Sequence, residues 1–171
     1  AIGAVIGHEM GHGFDDQGSK YDAEGNLREW WTPEDRKKFE ERTACVIEQY
    51  NNLDVGEGLR HNGKLVVGEA LGDLGGLTLA YRAYKRSLKG KEGPVLDGFT
   101  ADQRFFLAFA RTWAMVDRPE AVRLRLNTDP HPLPRFRAIG TLQNMPEFHK
   151  AFGCKPGDPM VRPQEKQCRL W

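Results

Sequence analysis

The hydrophobic residues of this chain recur mainly at helical spacing, beginning with its first residues. Four apolar side chains lie three or four positions apart on one face: Ile2, Val5, Ile6 and Met10. That spacing predicts a helix, which we expect to end near Gly13, because glycine is favoured just after a helix. A row of glycines lies beside the apolar face at every fourth position: Gly3, Gly7 and Gly11. Since glycine costs a helix roughly 1 kcal/mol relative to alanine, the row indicates that another backbone packs very close to it.

The same periodicity predicts five further helices. By residue number they span about 32–50, 66–88, 100–115 and 119–127, with a short one from 146. Thr32 followed by Pro33 is a helix start with a hydroxyl N-cap, and Thr100 with Gln103 forms a capping box. Between the helices we expect a loop or small hairpin over 15–31, a turn at 62–63, an extended segment around 130–134 and a loop over 156–171. Little strand signal and no linker are present, so we predict a single, mainly α unit.

Two apolar stripes are expected to form most of the core. The helix over 66–88 carries the first: Val67, Ala70, Leu71, Leu74, Leu77 and Tyr81. The helix over 100–115 carries an aromatic one: Phe105, Phe106, Phe109 and Trp113. An aromatic stripe at helical spacing is more typical of a core than of a ligand platform.

The amino-acid composition indicates which class of protein this chain belongs to. Of the 171 residues, 39% are hydrophobic and 29% charged, which is typical of a globular chain and not of a disordered one. No apolar run approaches the ~20 residues that span a bilayer. Lys and Arg number 25 against 24 Asp and Glu, giving a net charge of +1, and this balance argues against nucleic acid as a partner.

Neither the start of the chain nor its cysteines identify the cellular compartment. The chain begins at Ala1 with residues typical of a packed interior and with no targeting signal, so we expect it to be a piece of a longer polypeptide. Three cysteines are present, Cys45, Cys154 and Cys168. One pair could form a disulfide and leave one cysteine to pair elsewhere, or all three could be free thiols.

The motif His8-Glu9-Met10-Gly11-His12 lies within the first predicted helix. Residues four apart lie on the same face of a helix, so both imidazoles can bind one zinc ion, with Glu9 close enough to act as general base. The competing interpretation is two surface histidines on an ordinary helix. The motif therefore predicts two zinc ligands and a base, and it requires a third protein ligand.

Glu69 is the candidate third ligand, on the helix predicted over 66–88. Asp73 follows it at i+4, so both carboxylates face one side of an otherwise apolar helix. Two acids there are hard to bury without a cation, and a zinc ion plus an imidazole N–H would satisfy both. The alternative is that the two acids form a solvated edge.

Carboxylates behind the histidines would orient them by accepting the distal ring N–H. Asp73 fits that role toward His8, and Asp15, just past the first helix, fits it toward His12. The alternative for Asp15 is a plain loop turn.

Two residues near the proline-rich segment are candidates for contact with a substrate. His131 could donate a hydrogen bond to a developing oxyanion, and Arg137 could bind a carbonyl or carboxylate. Judged by spacing alone, residues of these types in such positions are more often ordinary surface residues. The remaining histidines, His61 and His149, receive no role.

Several segments in order along the chain resemble the C-terminal part of a neprilysin-type zinc metallopeptidase, within the gluzincin group. They are residues 5–16 (VIGHEMGHGFDD), 68–76 (GEALGDLGG), 128–131 (TDPH), 136–137 (FR) and 168–171 (CRLW). The resemblance implies a zincin-like catalytic half, with the β-sheet part of the domain largely upstream. Residues 1–171 would then be the C-terminal portion of the catalytic domain. The chain has Gly72 where the family pattern has alanine.

The resemblance also implies a role for each matching residue. It implies one zinc ion per chain, held by His8, His12 and Glu69. It implies catalytic roles as follows: Glu9 as base, His131 at the oxyanion, Asp73 and Asp15 behind the histidines, and Arg137 on the substrate. It further implies a disulfide between Cys45 and Cys168, with Cys154 paired to a cysteine far upstream.

The function implied is a zinc-dependent endopeptidase that hydrolyses oligopeptides through a metal-bound water activated by Glu9. Its partners would be peptide substrates and the upstream part of the same polypeptide, which would carry the family's edge strand and a large helical domain. The compartment implied is extracytoplasmic. The alternative is a catalytically incompetent zinc-binding fragment or a partner-binding module.

Overall fold

Residues 1–170, which the computed structural model describes, form a mainly helical fold. The α-helices within these residues are α1 (Ile2–Gly11), α2 (Pro33–Asn52), α3 (Gly63–Ser87), α4 (Ala101–Thr112), α5 (Pro119–Thr128), α6 (Pro134–Leu142) and α7 (Pro146–Phe152). Short 3-10 helices span His12–Phe14, Gly18–Lys20 and Gln164–Lys166. The mainly α prediction is confirmed. Trp171, the last residue of the terminal segment that carries the resemblance, lies outside the described residues.

The glycine row of α1 packs against α3, as the sequence predicted. A Cβ on Gly7 would lie 2.8 Å from the Cα of Gly76, and a Cβ on Gly76 would lie 2.5 Å from the carbonyl oxygen of Ala4. Real Cβ contacts are never this short, so these two positions admit only glycine unless the backbones move apart. The two helix backbones therefore touch directly at this crossing.

The apolar face of α1 lies on the outside of the described structure. Its side chains are exposed: Ile2, Val5, Ile6 and Met10. The spacing predicted the helix, but the face that packs inside consists of Ala4, Gly7 and His8. The physical reason is that the glycine face permits the closest approach to α3, and a helix cannot present both faces to one partner.

Side-chain caps fix where several helices begin. Thr32 Oγ1 accepts from the backbone of Asp35 at the start of α2, and the capping box of Thr100 and Gln103 is formed at α4. Helix α3 begins three residues earlier than predicted, because Asn62 Oδ1 accepts the N–H groups of Lys64 and Leu65. Residues 62–63 are thus a helix start and not the expected turn.

A small hairpin precedes α3, and the sequence pattern did not predict it. Strands β1 (Asp54–Gly56) and β2 (Leu59–Arg60) pair antiparallel. The turn between them is made by Glu57 and Gly58, with φ of 53° and 73°, the left-handed backbone that tight hairpin turns require. Earlier in the chain, over 15–31, a single bridge between Tyr21 and Leu27 accompanies the expected loop.

Helix α3 lies at the centre of the core. Its predicted apolar stripe is buried throughout, and Phe106 and Phe109 of α4 are buried with it. A disulfide joins Cys45 on α2 to Cys168, which confirms the pairing that the resemblance implied and excludes three free thiols. Cys154 forms no disulfide within residues 1–170. None of the described helices combines the length and the hydropathy needed to cross a bilayer.

Candidate metal centre

Three predicted ligands meet where α1 crosses α3. His8 Nε2 lies 3.2 Å from Glu69 Oε2, and His12 Nε2 lies 3.4 Å from Glu69 Oε1. One donor atom from each of the three residues falls within 4.8 Å of the other two. The close crossing of α1 and α3 therefore brings together His8, His12 and Glu69, the three residues that the sequence predicts as ligands.

The outer nitrogen of each imidazole is held by a carboxylate. His8 Nδ1 is 2.9 Å from Asp73 Oδ1, and His12 Nδ1 is 2.7 Å from Asp15 Oδ2. Asp15 is itself fixed by two backbone N–H groups, those of Gln17 and Gly18. An Nδ1–H donated to a carboxylate leaves the Nε2 lone pair directed at the common point. Two imidazole nitrogens and one carboxylate with this orientation fit the donor set of a catalytic zinc ion.

The charges around His8 also fit a cation at this point. Burial by itself lowers the pKa of His8, but its hydrogen bonds to Asp73 and Glu69 outweigh burial and raise it to about 9. Burial raises the pKa of Glu69, yet the hydrogen bond from His8 and the charges of His131 and Arg137 leave it below its usual range. The carboxylates thus stabilise positive charge between themselves, and a divalent ion on His8 Nε2 would take the place of a proton.

Gly72 lies directly beneath the imidazole of His8. A Cβ on Gly72 would lie 2.8 Å from His8 Nδ1 and 2.9 Å from its Cε1. Alanine at this position would press on the ring, so the glycine lets His8 lie closer to α3.

Arg137 is buried beside the same carboxylates. Its Nε and Nη2 each donate to one oxygen of Asp73 at 2.7 Å, and Nη2 lies 3.3 Å from Glu69 Oε2. The guanidinium carbon is 4.0 Å from the centre of the Trp113 ring, within the range of a cation–π contact. No hydrogen bond within residues 1–170 uses Nη1, so this group is a free donor on a residue that lines the cleft.

His131 reaches the site from the segment before α6. Its Nε2 lies 3.3 Å from Glu69 Oε2, and its Nδ1 lies 2.7 Å from Asp129 Oδ1. Burial would raise the pKa of Asp129, but hydrogen bonds from His131 and Arg125 lower it to about 2. Arg125 in turn donates to Asp117 at 3.1 Å. A chain of charged groups thus holds the imidazole from behind.

These groups surround one cleft of about 280 Å³. Among the predicted site residues its lining includes His8, Glu9, His12, Glu69, Asp73, His131 and Arg137. Glu9 is exposed on the solvent side of α1, and Asp15 lies behind His12 and not in the lining. The cleft can therefore hold a small segment of a ligand against the donor cluster, with a carboxylate, an imidazole and a guanidinium around it.

Sequence reasoning missed three residues that hold these groups. Asp129 lies two positions before His131, a spacing at which Asp accepts local hydrogen bonds, and this signal could have found it. Trp113 was assigned to the core, yet its ring lies against Arg137 at the cleft. His61 received no role, and it bonds the backbone of Leu133, a contact between distant residues that no local pattern reveals.

Comparisons with known proteins agree along nearly the whole chain. The model of a family described as peptidase family M13 matches residues 1–168. Endothelin-converting enzyme 1 from Bos taurus is 47% identical over 175 residues, which cover 99% of this chain and 22% of that protein. Neprilysin-21 from Caenorhabditis elegans is 45% identical over 177 residues, covering 99% of this chain and 23% of that protein.

Solved structures show the same likeness. Zinc metalloprotease Zmp1 from Mycobacterium tuberculosis, in complex with an inhibitor, superimposes with a TM-score of 0.95 at 44% identity, covering all of this chain and 27% of that one. PepO from Lactobacillus rhamnosis HN001 gives a TM-score of 0.85 at 36% identity, covering 99% of this chain and 25% of that one. The chain thus spans 22% to 27% of the length of these four relatives.

Proposed function

The chain belongs to peptidase family M13, and from this premise we propose that it forms the zinc-binding part of an endopeptidase acting on oligopeptides. The observation that carries the proposal is the donor cluster of His8, His12 and Glu69, with its three ligand atoms within 4.8 Å. Glu9 lines the same cleft. One zinc ion per chain is the stoichiometry that a single cluster of this kind supports.

The proposed zinc ligands are the Nε2 atoms of His8 and His12 and the carboxylate of Glu69. When bound, zinc polarises a carbonyl group and lowers the pKa of water toward ~7. Asp73 and Asp15 keep the Nδ1–H groups engaged, so that both imidazoles remain oriented with Nε2 toward the ion. Asp73 also accepts two hydrogen bonds from Arg137. Because it contacts both His8 and Arg137, we include it among the residues that serve the reaction.

Glu9 is the proposed general base. Its carboxylate would accept the proton of the attacking water and pass it to the nitrogen of the leaving amine, which balances the hydrolysis of one peptide bond. Glu9 follows His8 directly and lines the cleft from α1. Its exposed position gives water and substrate access to the carboxylate.

His131 and Arg137 are the proposed contacts to the substrate carbonyls. His131 would donate Nε2–H to the oxyanion while Asp129 holds its Nδ1–H. A hydrogen-bond donor aimed at this position suits a developing negative oxygen. Arg137 would donate Nη1–H to a neighbouring carbonyl of the peptide, because Nε and Nη2 are already bonded to Asp73.

The test of Glu9 uses the full-length enzyme. Glu9→Gln should keep its zinc content and lose peptide hydrolysis by about 10²–10⁴-fold, the range that general acid–base catalysis contributes. Glu92→Gln, the same change on an exposed loop, is the matched control and should turn over normally. Near-normal turnover by Glu9→Gln would overturn the role of Glu9, and an enzyme without bound zinc would overturn the metal site.

The compartment and the neighbouring part of the polypeptide follow as proposals. Disulfides persist mainly in oxidising compartments, so the bond between Cys45 and Cys168 supports an extracytoplasmic location. The exposed Ile6 and Met10 line a groove of about 1290 Å³ along α1 and α3, and we propose that the upstream part of the polypeptide covers it.

A second candidate function concerns the 171 residues alone. They span 22% to 27% of the length of the relatives above. The chain on its own could hold zinc without hydrolysing peptides, or serve to bind a partner. Metal analysis followed by peptide hydrolysis with and without a chelator separates the two cases, since bound zinc without hydrolysis supports this second function.

A further inference from the structure

A buried histidine outside the cleft is joined directly to the segment that presents His131 and Arg137. His61 follows β2 and is only 4% exposed. Its Nε2 accepts the backbone N–H of Leu133 at 3.1 Å. Leu133 lies two residues after His131 and four before Arg137, and its carbonyl accepts the N–H of Arg137. The bond therefore fixes the backbone where the extended segment enters α6.

The contact requires His61 to be neutral. A protonated imidazole has no lone pair at Nε2 and could not accept the N–H of Leu133. The ring lies edge-to-face with Tyr50 and Phe136, at centroid distances of 5.8 and 5.0 Å. Burial in these surroundings lowers the pKa of His61 to about 4. The acceptor is therefore available at neutral pH.

No neighbouring side chain duplicates this contact. Tyr50 donates to the carbonyl of Phe136, and Gln49 donates to the carbonyl of Gly140, so α2 holds α6 from Phe136 onward. Within residues 1–170, His61 alone has a side chain hydrogen-bonded to the backbone of residues 132–135. The backbone that leads into α6 is thus bonded to one side chain, the imidazole of His61, ahead of the contacts made by α2.

We propose that His61 is a positioning residue for the peptidase reaction. By accepting the N–H of Leu133 it holds the backbone between His131 and Arg137, and so sets both side chains in the cleft. It acts through these residues and contacts neither the zinc ligands nor the cleft. The expected effect on kinetics rests on the proposed function. The hydrogen bond between His61 and Leu133 rests on geometry alone.

The first test compares two amide variants of the full-length enzyme. The side-chain oxygen of His61→Gln reaches about as far as Nε2 does, whereas that of His61→Asn reaches only as far as Nδ1. We expect hydrogen exchange of the backbone over 131–137, measured by mass spectrometry, to become faster in the Asn variant and to stay near wild type in the Gln variant. His149→Phe, a change at another buried histidine, is the control and should leave exchange of this segment unchanged.

The second test is kinetic. His61→Asn should lower kcat/KM for a peptide by about tenfold, as a small misplacement of reacting groups does, with zinc content unchanged and with recovery in His61→Gln. In an enzyme already carrying His131→Ala, the same His61→Asn change should cost less than it does in the wild type. A purely structural role would give equal losses in both backgrounds.

The outcomes separate this inference from the proposed function. Equal exchange and equal kcat/KM in the Gln and Asn variants would overturn the role of His61. Should His61→Asn fail to fold, as a melting curve would show, His61→Phe replaces it with the same expected effects. A wild-type enzyme that binds zinc and hydrolyses no peptide would overturn the proposed function, while the exchange measurement still tests the bond to Leu133.

Discussion

Two regions form the cleft, and they are held in different ways. The crossing of α1 and α3 supplies His8, His12 and Glu69, and it is maintained by backbone contact at Gly7 and Gly76. Residues 129–137 supply His131 and Arg137, and they are maintained by separate hydrogen bonds to side chains. The helices that carry the proposed metal ligands thus depend on packing for their position, whereas the segment that carries the proposed substrate contacts depends on polar pairs.

The two regions therefore tolerate different substitutions. Close-packed backbones have no room for an added atom, so a change at the helix crossing disturbs the fold and the ligands together. A hydrogen bond can be removed singly, so a change in residues 129–137 can shift one substrate contact and leave the rest in place.

The largest effect is expected at the helix crossing. Gly76→Ala places a Cβ 2.5 Å from the carbonyl oxygen of Ala4 and 2.9 Å from the carbonyl carbon of Gly7. Because these are backbone atoms, we expect the free energy of unfolding to fall by about 3 kcal/mol or more, together with zinc affinity. Denaturant unfolding and zinc titration measure the two losses.

The control for that change is Gly3→Ala on the same helix. Its Cβ would lie 3.6 Å from the Cβ of Ala80, an ordinary contact. Alanine should there be neutral or stabilise the helix by up to about 1 kcal/mol. Equal losses in the Gly3 and Gly76 variants would contradict the view that backbone contact holds α1 on α3.

A loss of stability of intermediate size is expected on acidification, through His61, which holds residues 129–137 by its bond to Leu133. The pKa of His61 is about 4 in the folded chain against 6.5 ordinarily, so the unfolded chain binds more protons between these values. The free energy of unfolding should therefore fall as the pH falls from 6.5 toward 4, by about 2 kcal/mol at pH 5. Denaturant unfolding of the metal-free protein at pH 7 and pH 5 measures the loss.

The matched variant for the acid effect is His61→Gln, which keeps an acceptor and does not titrate. Other groups titrate equally in both proteins, so the difference between wild type and variant isolates His61. A variant that loses as much stability on acidification as the wild type would show that His61 does not titrate as described.

The smallest effect is expected behind His131. Asp129→Asn keeps the size of the side chain and removes the charge that holds Nδ1–H, so kcat for peptide hydrolysis should fall about tenfold, with stability and zinc content nearly unchanged. Steady-state kinetics check this. Asp117→Asn removes a charge that contacts Arg125 and not His131, so it should lower kcat less than Asp129→Asn does. A larger loss of kcat in the Asp117 variant would contradict the role given to Asp129.

The first region could be predicted from the sequence to a large extent. The motif of His8 and His12 and the pair Glu69 and Asp73 have helical spacing, so local geometry alone indicates which side chains face together. The glycine row correctly predicted close backbone packing. The apolar spacing of α1 predicted the helix but did not identify its buried face. Ile2 and Met10 are exposed, and the pattern does not show which face of α1 meets α3.

The second region could be predicted only in part. His131 and Arg137 were selected as candidates, yet the contacts that hold them join residues far apart in the chain. His61 and Leu133 are 72 positions apart, and Trp113 reaches Arg137 from the end of α4. No local periodicity contains such pairs. The hairpin of β1 and β2 was not predicted for a different reason. Strands of three and two residues are too short to show an alternation of apolar and polar side chains.

The disulfide has a consequence for proteolytic damage. Cys45 and Cys168 are 123 positions apart, and the polypeptide between them includes Glu69, Asp73, His131 and Arg137. The connection between α3 and α4 is mostly exposed and offers the natural place for a first cleavage. A molecule cut there would stay in one piece until reduced, because the two fragments remain covalently tied. The bond thus keeps the two parts of a nicked chain joined.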